Sequence, residues 1–315
     1  MITLSVVIPV LDGMATLPKL FYGLKQQTIY NQIEVIIIDS GSTDGTLEYV
    51  KENGVILIEI SKTDFNHGAT RNLGVQRAQG EFVLLTVQDA WTEDPKLLET
   101  MLSHFKDSNV AGVCGQQIVP HDTDKNPHEW FRPFSKPKPR FVHFKAHKEF
   151  EQLTPKEQRQ ACIWDDVIAM YRKSVLLDIP FKHVVFGEDM LWAKDVLLQG
   201  YTIVYDTTAR VNHYHYQFPE YTYKRVLIAH AFIYHNFKLL KNKTYGLKDY
   251  LLIIYRNFKW KCHPKWIRHN FNILTNKNKA TRKLISAVES NAIEDLLKEL
   301  AINVPIGQQK DKQSV

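Results

Sequence analysis

Short runs of Val, Ile and Leu alternate along the first half of the chain with stretches whose apolar residues recur at helical spacing. The runs at residues 4–8, 34–39, 55–60 and 82–87 are five or six residues long, a length typical of strands buried on both faces of a sheet. Helices are predicted at 15–26, 44–51, 69–78, 95–105 and 189–199, and a late strand at 202–205. Strands that alternate with helices predict an α/β fold with a mostly parallel sheet and flanking helices.

Two stretches depart from this alternation. Residues 120–148 contain five prolines among basic residues, a composition that predicts a long surface loop. After about residue 221 the strand signals stop, and helical patterns rich in Tyr, Phe, Trp, Lys and Arg take over. The chain is therefore predicted to hold one α/β domain at 1–220 and a basic, aromatic-rich helical region at 221–315, with disorder in roughly its last ten residues.

The charge of the chain is divided unevenly. Residues 1–124 hold 8 basic and 16 acidic residues (net −8), and residues 125–315 hold 32 and 18 (net +14), which together give the formal +6. Residues 221–283 alone carry 15 basic residues against one acid, Asp249. Such a block needs an anionic partner, unless it is a solvated helical face that keeps the protein soluble.

The remaining composition excludes several classes of protein. Apolar residues make up 44% and charged residues 23%, which is ordinary globular usage and excludes a collagen-like or wholly disordered chain. No apolar run approaches the ~20 residues of a spanning helix, and the first residues lack the basic start of a secretory signal. Three widely spaced cysteines suit a reduced cytoplasm and suggest neither a zinc site nor a disulfide framework.

Polar residues follow each of the first four predicted strands. The first strand is followed by Pro9, Val10 and Asp12, the second by residues 39–45, the third by residues 64–72, and the fourth by Gln88 and Asp89. Turn-forming residues would explain one such loop, but four loops in register predict a ligand site, because ligands bind at the carboxyl ends of parallel strands. Neither G-x-G-x-x-G nor G-x-x-x-x-G-K-[ST] is present, so a phosphate would need a metal ion or basic side chains.

The ordered motifs SVVIPV, VIIIDSGSTDGT, FNHGATRN, QDA, FGEDMLWAKDVLLQGY and VNHYH resemble those of family 2 glycosyltransferases with the GT-A fold. The resemblance covers residues 3–216, about two thirds of the chain. Most members carry Asp-x-Asp at the fourth strand, whereas this chain has Val87, Gln88 and Asp89, so the first acid is absent. QDA and FNHGATRN resemble the bacterial rhamnosyltransferases that use dTDP-β-L-rhamnose. A UDP-sugar enzyme and a degenerate, non-catalytic GT-A binding module are the alternatives.

The resemblance implies a donor site and a divalent cation, Mg²⁺ or Mn²⁺. It makes Asp39 the acceptor of the pyrimidine N3–H and Arg71 a contact for the base or phosphate. Asp89 and His213 would hold the cation against the diphosphate, and the neighbouring His215 is a further candidate. The predicted donor-binding residues are Pro9, Val10, Asp12, Asp39, Ser40, Arg71, Gln88 and Asp89.

The resemblance also implies an inverting reaction with one general base. Asp189 is predicted to remove the acceptor hydroxyl proton, with Glu188 in support, although acids at a helix start also serve simply to complement the helix dipole. Trp164, Asp165, Asp166 and Trp192 are the candidates for lining the acceptor sugar, with a core or turn position as the alternative for each, and the sugar would belong to a cell-surface polysaccharide or a lipid-linked oligosaccharide.

The basic C-terminal block is predicted to bind an anionic membrane surface, which would place the enzyme in the cytoplasm at the inner face of the cell membrane. Packing against the first domain or against a second copy in a homo-oligomer is the alternative. Nucleic acid, the third anionic partner that such a pattern fits, is not expected.

Overall fold

The computed structural model describes residues 2–122, 124–130 and 138–303, with the side chains of 301–303 excepted. Within these residues one mixed sheet has eight strands in the order β3-β2-β1-β4-β7-β5-β8-β6. The strands are β1 Leu4–Val10, β2 Ile33–Asp39, β3 Ile56–Glu59, β4 Phe82–Thr86, β5 Val110–Ile118, β6 Arg140–Val142, β7 Ile168–Arg172 and β8 Thr202–Asn212.

Helices flank this sheet and continue beyond its last strand. Those among the strands are α1 Leu17–Lys25, α2 Thr46–Glu52, α3 His67–Arg77, α4 Leu97–Ser103, α5 Pro127–Trp130, α6 His147–Glu151, α7 Pro155–Ala161, α8 Lys173–Asp178 and α9 Glu188–Leu198. Those after β8 are α10 Pro219–Phe237, α11 Leu247–Lys259, α12 Lys265–Glu289 and α13 Ile293–Asn303. The prediction of a mostly parallel α/β sheet with flanking helices and a helical C-terminal region is confirmed.

The first four strands are parallel neighbours, with β1 between β2 and β4 and with β3 at the edge. Ile8 of β1 and Ile37 of β2 are fully buried and stand opposite each other in register. Apolar side chains on both faces of these strands hold two separate core layers, one under each set of helices. All four carboxyl ends therefore open on the same edge of the sheet.

The structure corrects the sequence analysis in the middle of the chain. Strands β5 and β7 were not predicted, and β7 runs antiparallel between β4 and β5. The proline-rich stretch 120–148 is more than a loop, because β6 within it pairs with β8. Part of that stretch, Thr123 and residues 131–137, lies outside the described residues, as do the last ten residues, for which disorder is predicted.

The C-terminal helices pack on one another and on the sheet domain. Leu227 and Ala231 of α10 share a core with Leu284 of α12 and Leu296 of α13. The other side of α10 contributes Phe232 to the core around α9. Within the described part of the chain, no helix combines the length and apolar character needed to cross a bilayer.

Candidate active site

The loops after β1 and β2, where donor-binding residues are predicted, are joined by hydrogen bonds. Ser40 donates from both its backbone N–H and its hydroxyl to the carbonyl oxygen of Val10, at 3.0 and 3.1 Å. The backbone N–H of Asp12 donates to Ser42 Oγ at 2.8 Å, and Thr43 N–H donates to the Asp12 carboxylate at 2.9 Å. These contacts hold the predicted residues at the carboxyl edge of the sheet as one connected surface.

Asp39 ends β2 with its side chain turned into its own loop. Its carboxylate is only 1% exposed and accepts the backbone N–H groups of Gly41, at 3.2 Å, and Ser42, at 2.9 Å. A carboxylate has about four lone-pair positions, so acceptor capacity remains for the N3–H of a pyrimidine. Base recognition by Asp39 stays a prediction, and the structure adds that this residue shapes the loop.

Gln88 lies between Val87, which stands at the position of the absent first acid, and Asp89, and its side chain holds the loop after β1. Its amide nitrogen donates to the carbonyl oxygen of Leu11 at 3.1 Å, and its amide oxygen accepts the Leu11 N–H at 2.8 Å. A carboxylate could accept the N–H but could not donate to the carbonyl, so the amide suits this paired contact. Direct contact of Gln88 with the nucleotide stays a prediction.

A possible metal site lies where the end of β4 meets the end of β8. One ligand atom from each of Asp89, His213 and His215 falls within 4.8 Å of the other two. The Asp89 carboxylate lies 3.5 Å from His213 Nε2 and 3.3 Å from His215 Nε2. Burial acts to raise the pKa of Asp89, but the hydrogen bond from His213 and the charges of both histidines outweigh it, so the pKa lies below its ordinary value.

Two structural contacts bring this cluster together. Trp91 and Asn212 exchange backbone hydrogen bonds at 3.0 and 2.7 Å, which places the chain after Asp89 against the end of β8. Gln117 of β5 then orients His213, because its amide oxygen lies 2.7 Å from His213 Nδ1. When Nδ1–H donates to that oxygen, the lone pair of Nε2 in the neutral ring would face a bound cation, in place of the contacts that Nε2 makes here with Asp89 and, at 3.0 Å, with His215 Nε2. The amide nitrogen of Gln117 donates in turn to Asp165 at 2.5 Å.

The acids predicted for the acceptor side form a second cluster around a buried arginine. Arg71 Nη1 pairs with Asp166 at 3.1 Å and also contacts Glu188 directly. The structure places Arg71 differently from the prediction, because the residue is 5% exposed and its guanidinium pairs with two of the carboxylates predicted for the acceptor side. Arg71 is a positioning residue in this geometry.

The three acids of this cluster have different proton affinities. Burial raises the pKa of Asp166 to about 6, although Arg71 and the Tyr171 hydroxyl oppose the rise. Burial acts to raise the pKa of Glu188, but the charges of Arg71 and His67 together with the hydrogen bonds to its carboxylate outweigh it and keep the pKa below its usual range. Burial, followed by the charges of Glu188 and Asp166, raises the pKa of Asp189 well above its ordinary value.

Asp189 is the partly exposed member of the cluster. It lies in the first turn of α9, where one carboxylate oxygen accepts the Met190 N–H at 2.6 Å, and the ion pairs of Arg71 go to its neighbours instead. The residue before this turn, Gly187, has to be glycine. Its φ is +76°, and a Cβ there would lie 2.5 Å from the Phe232 ring. Environments that separate the pKa values of adjacent acids are typical of acid–base sites.

The two tryptophans predicted to line the acceptor are core residues, and that prediction is wrong. Trp192 is 1% exposed and packs edge-on against Tyr171 at 4.6 Å between centroids. Trp164 is also buried and donates its indole N–H to the Tyr171 hydroxyl at 2.6 Å. Their rings fit over Gly112 of β5, where any Cβ would lie 2.9 Å from both. The tryptophans therefore support Asp166 through Tyr171 and do not face a sugar.

Replacing Arg71 by Met is expected to destabilise the fold strongly. The change removes the cation between the buried Asp166 and Glu188, and breaking a buried ion pair in this way costs about 3–5 kcal/mol. Urea unfolding measures the free energy of unfolding. Arg77→Met, at an exposed position of the same helix, is the control and should change it by less than about 0.5 kcal/mol. Equal stabilities for the two variants would show that the cluster does not need its cation.

A mostly parallel sheet with polar loops at its carboxyl edge, a carboxylate–histidine cluster and an acidic helix start is the architecture of a GT-A glycosyltransferase. Residues 5–179 match the model of glycosyl transferase family 2. The chain belongs to this family and is a glycosyltransferase.

Two curated relatives are similar to the chain over most of its length. The O-antigen chain rhamnosyltransferase RfbN of Salmonella typhimurium is 31% identical over 70% of this chain and 69% of its own. The O-antigen chain rhamnosyltransferase WbaN of Salmonella anatum is 34% identical over 68% of this chain and 66% of its own. A solved structure, the mannosyltransferase PcManGT from Pyrobaculum calidifontis in complex with GDP-Man and Mn²⁺, has a similar fold. It matches with a TM-score of 0.54 and 15% identity, over 95% of this chain and 86% of that chain.

Proposed function

We propose that the chain transfers L-rhamnose, with inversion, from dTDP-β-L-rhamnose to a hydroxyl of a cell-surface polysaccharide or lipid-linked oligosaccharide. The observation that carries this proposal is the similarity to two O-antigen chain rhamnosyltransferases over about two thirds of the chain. A connection between the acid cluster and the carboxylate–histidine cluster supports it, because Asp165, the neighbour of Asp166 in sequence, accepts from Gln117, which also contacts His213.

Asp189 is the proposed general base. The carboxylate of Asp189 takes the proton of the acceptor hydroxyl as that oxygen attacks C1 of the sugar, and the bond from C1 to the diphosphate oxygen breaks to release dTDP. Its raised pKa makes it a better proton acceptor than an ordinary aspartate. Glu188 stays ionised against Arg71, so its charge favours the proton on Asp189. Asp165, Asp166 and Glu188 are the remaining acceptor-side carboxylates.

Asp89, His213 and His215 are the residues that would hold a divalent cation. The cation, when bound, would neutralise charge on the diphosphate leaving group. Oxygen ligands alone suit Mg²⁺ and Mn²⁺ equally, but two imidazole ligands favour Mn²⁺, because Mg²⁺ prefers oxygen. The orientation of His213 by Gln117 is the arrangement that metal-binding histidines commonly have.

The donor is tested by comparing dTDP and UDP in a thermal shift assay, each with Mn²⁺, with Mg²⁺ and with chelator, followed by turnover of dTDP-β-L-rhamnose against UDP-sugars. We expect the largest stabilisation from dTDP with Mn²⁺, and rhamnosyl transfer to a lipid-linked oligosaccharide extract detected by mass spectrometry. Preferential UDP binding and turnover of a UDP-sugar would contradict the donor assignment. Nucleotide binding without any turnover would indicate a non-catalytic module.

The proposed location of the enzyme is the inner face of the cell membrane. The 15 basic residues against one acid at 221–283 support this location, because lipid-linked acceptors and anionic headgroups occur at the same surface.

A further inference from the structure

Helix α11 carries an apolar face that no described residue covers. Leu247, Leu251, Tyr255 and Phe258, called here the α11 stripe, are 75%, 53%, 59% and 73% exposed. Their spacing of four, four and three residues places them on one side of the helix. Exposed large apolar side chains gathered on one surface mark a contact with another molecule or with a membrane.

The opposite face of α11 is packed. Ile253 and Asn257 are buried, and Asn257 donates to the carbonyl oxygen of Cys262 at 3.0 Å. The Tyr250 ring meets Phe271 of α12 edge-on at 5.0 Å, and its hydroxyl lies 3.1 Å from Thr275 Oγ1. These contacts fix the rotation of the helix, so the α11 stripe is turned outward by the fold.

Basic side chains accompany the α11 stripe. Lys248, Arg256 and Lys259 on the helix are exposed, as are Lys261 and Lys265 just beyond it. The one acid of the helix, Asp249, is partly buried and accepts the Gly246 N–H at 2.9 Å. Two copies facing each other through this surface would bring like charges together, whereas an anionic lipid surface would neutralise them. A basic amphipathic helix with Leu, Tyr and Phe on one face has the character of an interfacial helix.

The helix is linked to the edge of the sheet that holds the site. Trp260, at the end of α11, packs on His128 at 5.3 Å between ring centroids. Asn126, two residues earlier, donates its backbone N–H to the Tyr214 hydroxyl at 3.1 Å. Tyr214 lies between His213 and His215. These contacts connect α11, through residues 126–128, to the segment that carries the proposed metal ligands.

We propose that α11 docks on an anionic bilayer, with the α11 stripe inserted among the lipids and the flanking lysines against the headgroups. This inference deepens the proposed membrane location and rests on it. The docked helix holds the site near the polar end of a lipid-linked acceptor. Salt does not screen the apolar contacts. The attraction between the basic side chains and the headgroups falls off within a Debye length, and this length shortens as the salt concentration rises.

The test is sedimentation of the full chain with vesicles of phosphatidylglycerol and phosphatidylcholine, or of phosphatidylcholine alone, at low and high salt. The variant L251S/Y255S/F258S should bind the mixed vesicles at least about tenfold more weakly than the parent. K248E/K259E should lose a similar factor at low salt and little at high salt. The matched control Y22S/L177S removes two exposed apolar side chains from the sheet domain and should bind like the parent.

Unchanged vesicle binding by the triple variant overturns the inference. A second result would also overturn the inference. If the parent runs as a dimer on size exclusion, and the triple variant runs as a monomer but still binds vesicles like the parent, the α11 stripe contacts a second copy of the chain. Sugar transfer to a short soluble acceptor is followed in parallel. A parent that transfers sugar but ignores the mixed vesicles defeats the docking inference alone, whereas vesicle binding without transfer counts against the proposed reaction.

Discussion

Asp189→Asn is expected to abolish sugar transfer while donor binding survives. The amide keeps the size of the side chain and its place in the first turn of α9, but it cannot accept the acceptor proton. Loss of a general base lowers the rate by roughly 10²–10⁴-fold. The measurement is kcat with saturating donor and acceptor, together with donor affinity by calorimetry.

The control for this variant is Asp195→Asn on the same helix. Asp195 pairs with Lys182 at 2.6 Å, away from the acid cluster, and its change should leave kcat within about twofold of the parent. The pH profile gives a second readout. A base must be unprotonated to act, so the parent rate should rise with pH through the raised pKa of Asp189, and the variant should lack that limb. Near-normal turnover by Asp189→Asn would move the base to Asp166 or Glu188.

Asp89→Ala is expected to weaken donor binding mainly when a divalent cation is present. Asp89 is the carboxylate of the Asp89, His213 and His215 cluster, and its loss leaves only the two imidazoles to hold a cation against the diphosphate. In Mn²⁺ we expect the donor affinity to fall by at least roughly 10–100-fold, which is the loss caused by removing a group that merely orients a metal ligand. Calorimetric titration of dTDP with Mn²⁺ and with chelator gives the two affinities.

Two further variants separate metal binding from a general effect of charge. Glu93→Ala removes an exposed acid shortly after Asp89 and should leave both affinities unchanged. Gln117→Leu removes the group that orients His213, so it should lower the affinity in Mn²⁺ and spare the affinity in chelator. Equal losses for Asp89→Ala in both conditions would mean that Asp89 does not act through a cation.

Local patterns in the sequence were sufficient for the first four strands and for the helices between them. Runs such as 34–39 have four consecutive apolar residues, all of them β-branched, a pattern that favours a strand over a surface helix. Because apolar residues occupy successive positions, both faces of such a strand are expected to be buried. Their parallel order brought Val10, Asp39 and Asp89 to one edge, because the carboxyl ends of parallel strands open together. Residues in one motif or on one helix turn, such as Glu188 and Asp189, were also placed together by the sequence alone.

The tertiary structure decided which side chains are available. Strand β5 contains Gly112 and Gly115, which weaken a strand pattern in sequence, and only the buried rings of Trp164 and Trp192 explain why glycine is needed at position 112. The partners of Arg71 lie 95 and 117 residues away along the chain, so no local pattern could assign it to the acid cluster.

The same limit applies to the metal cluster and to the C-terminal block. Gln117 meets His213 because β5 pairs with β8, and strand pairing over such a distance is set by packing rather than by spacing. Residues 221–283 showed in sequence that basic and apolar residues are interleaved, but not which apolar side chains are buried. The packing of Tyr250, Ile253 and Asn257 against neighbouring residues settled that point, since it fixes the rotation of α11 and turns Leu251, Tyr255 and Phe258 outward.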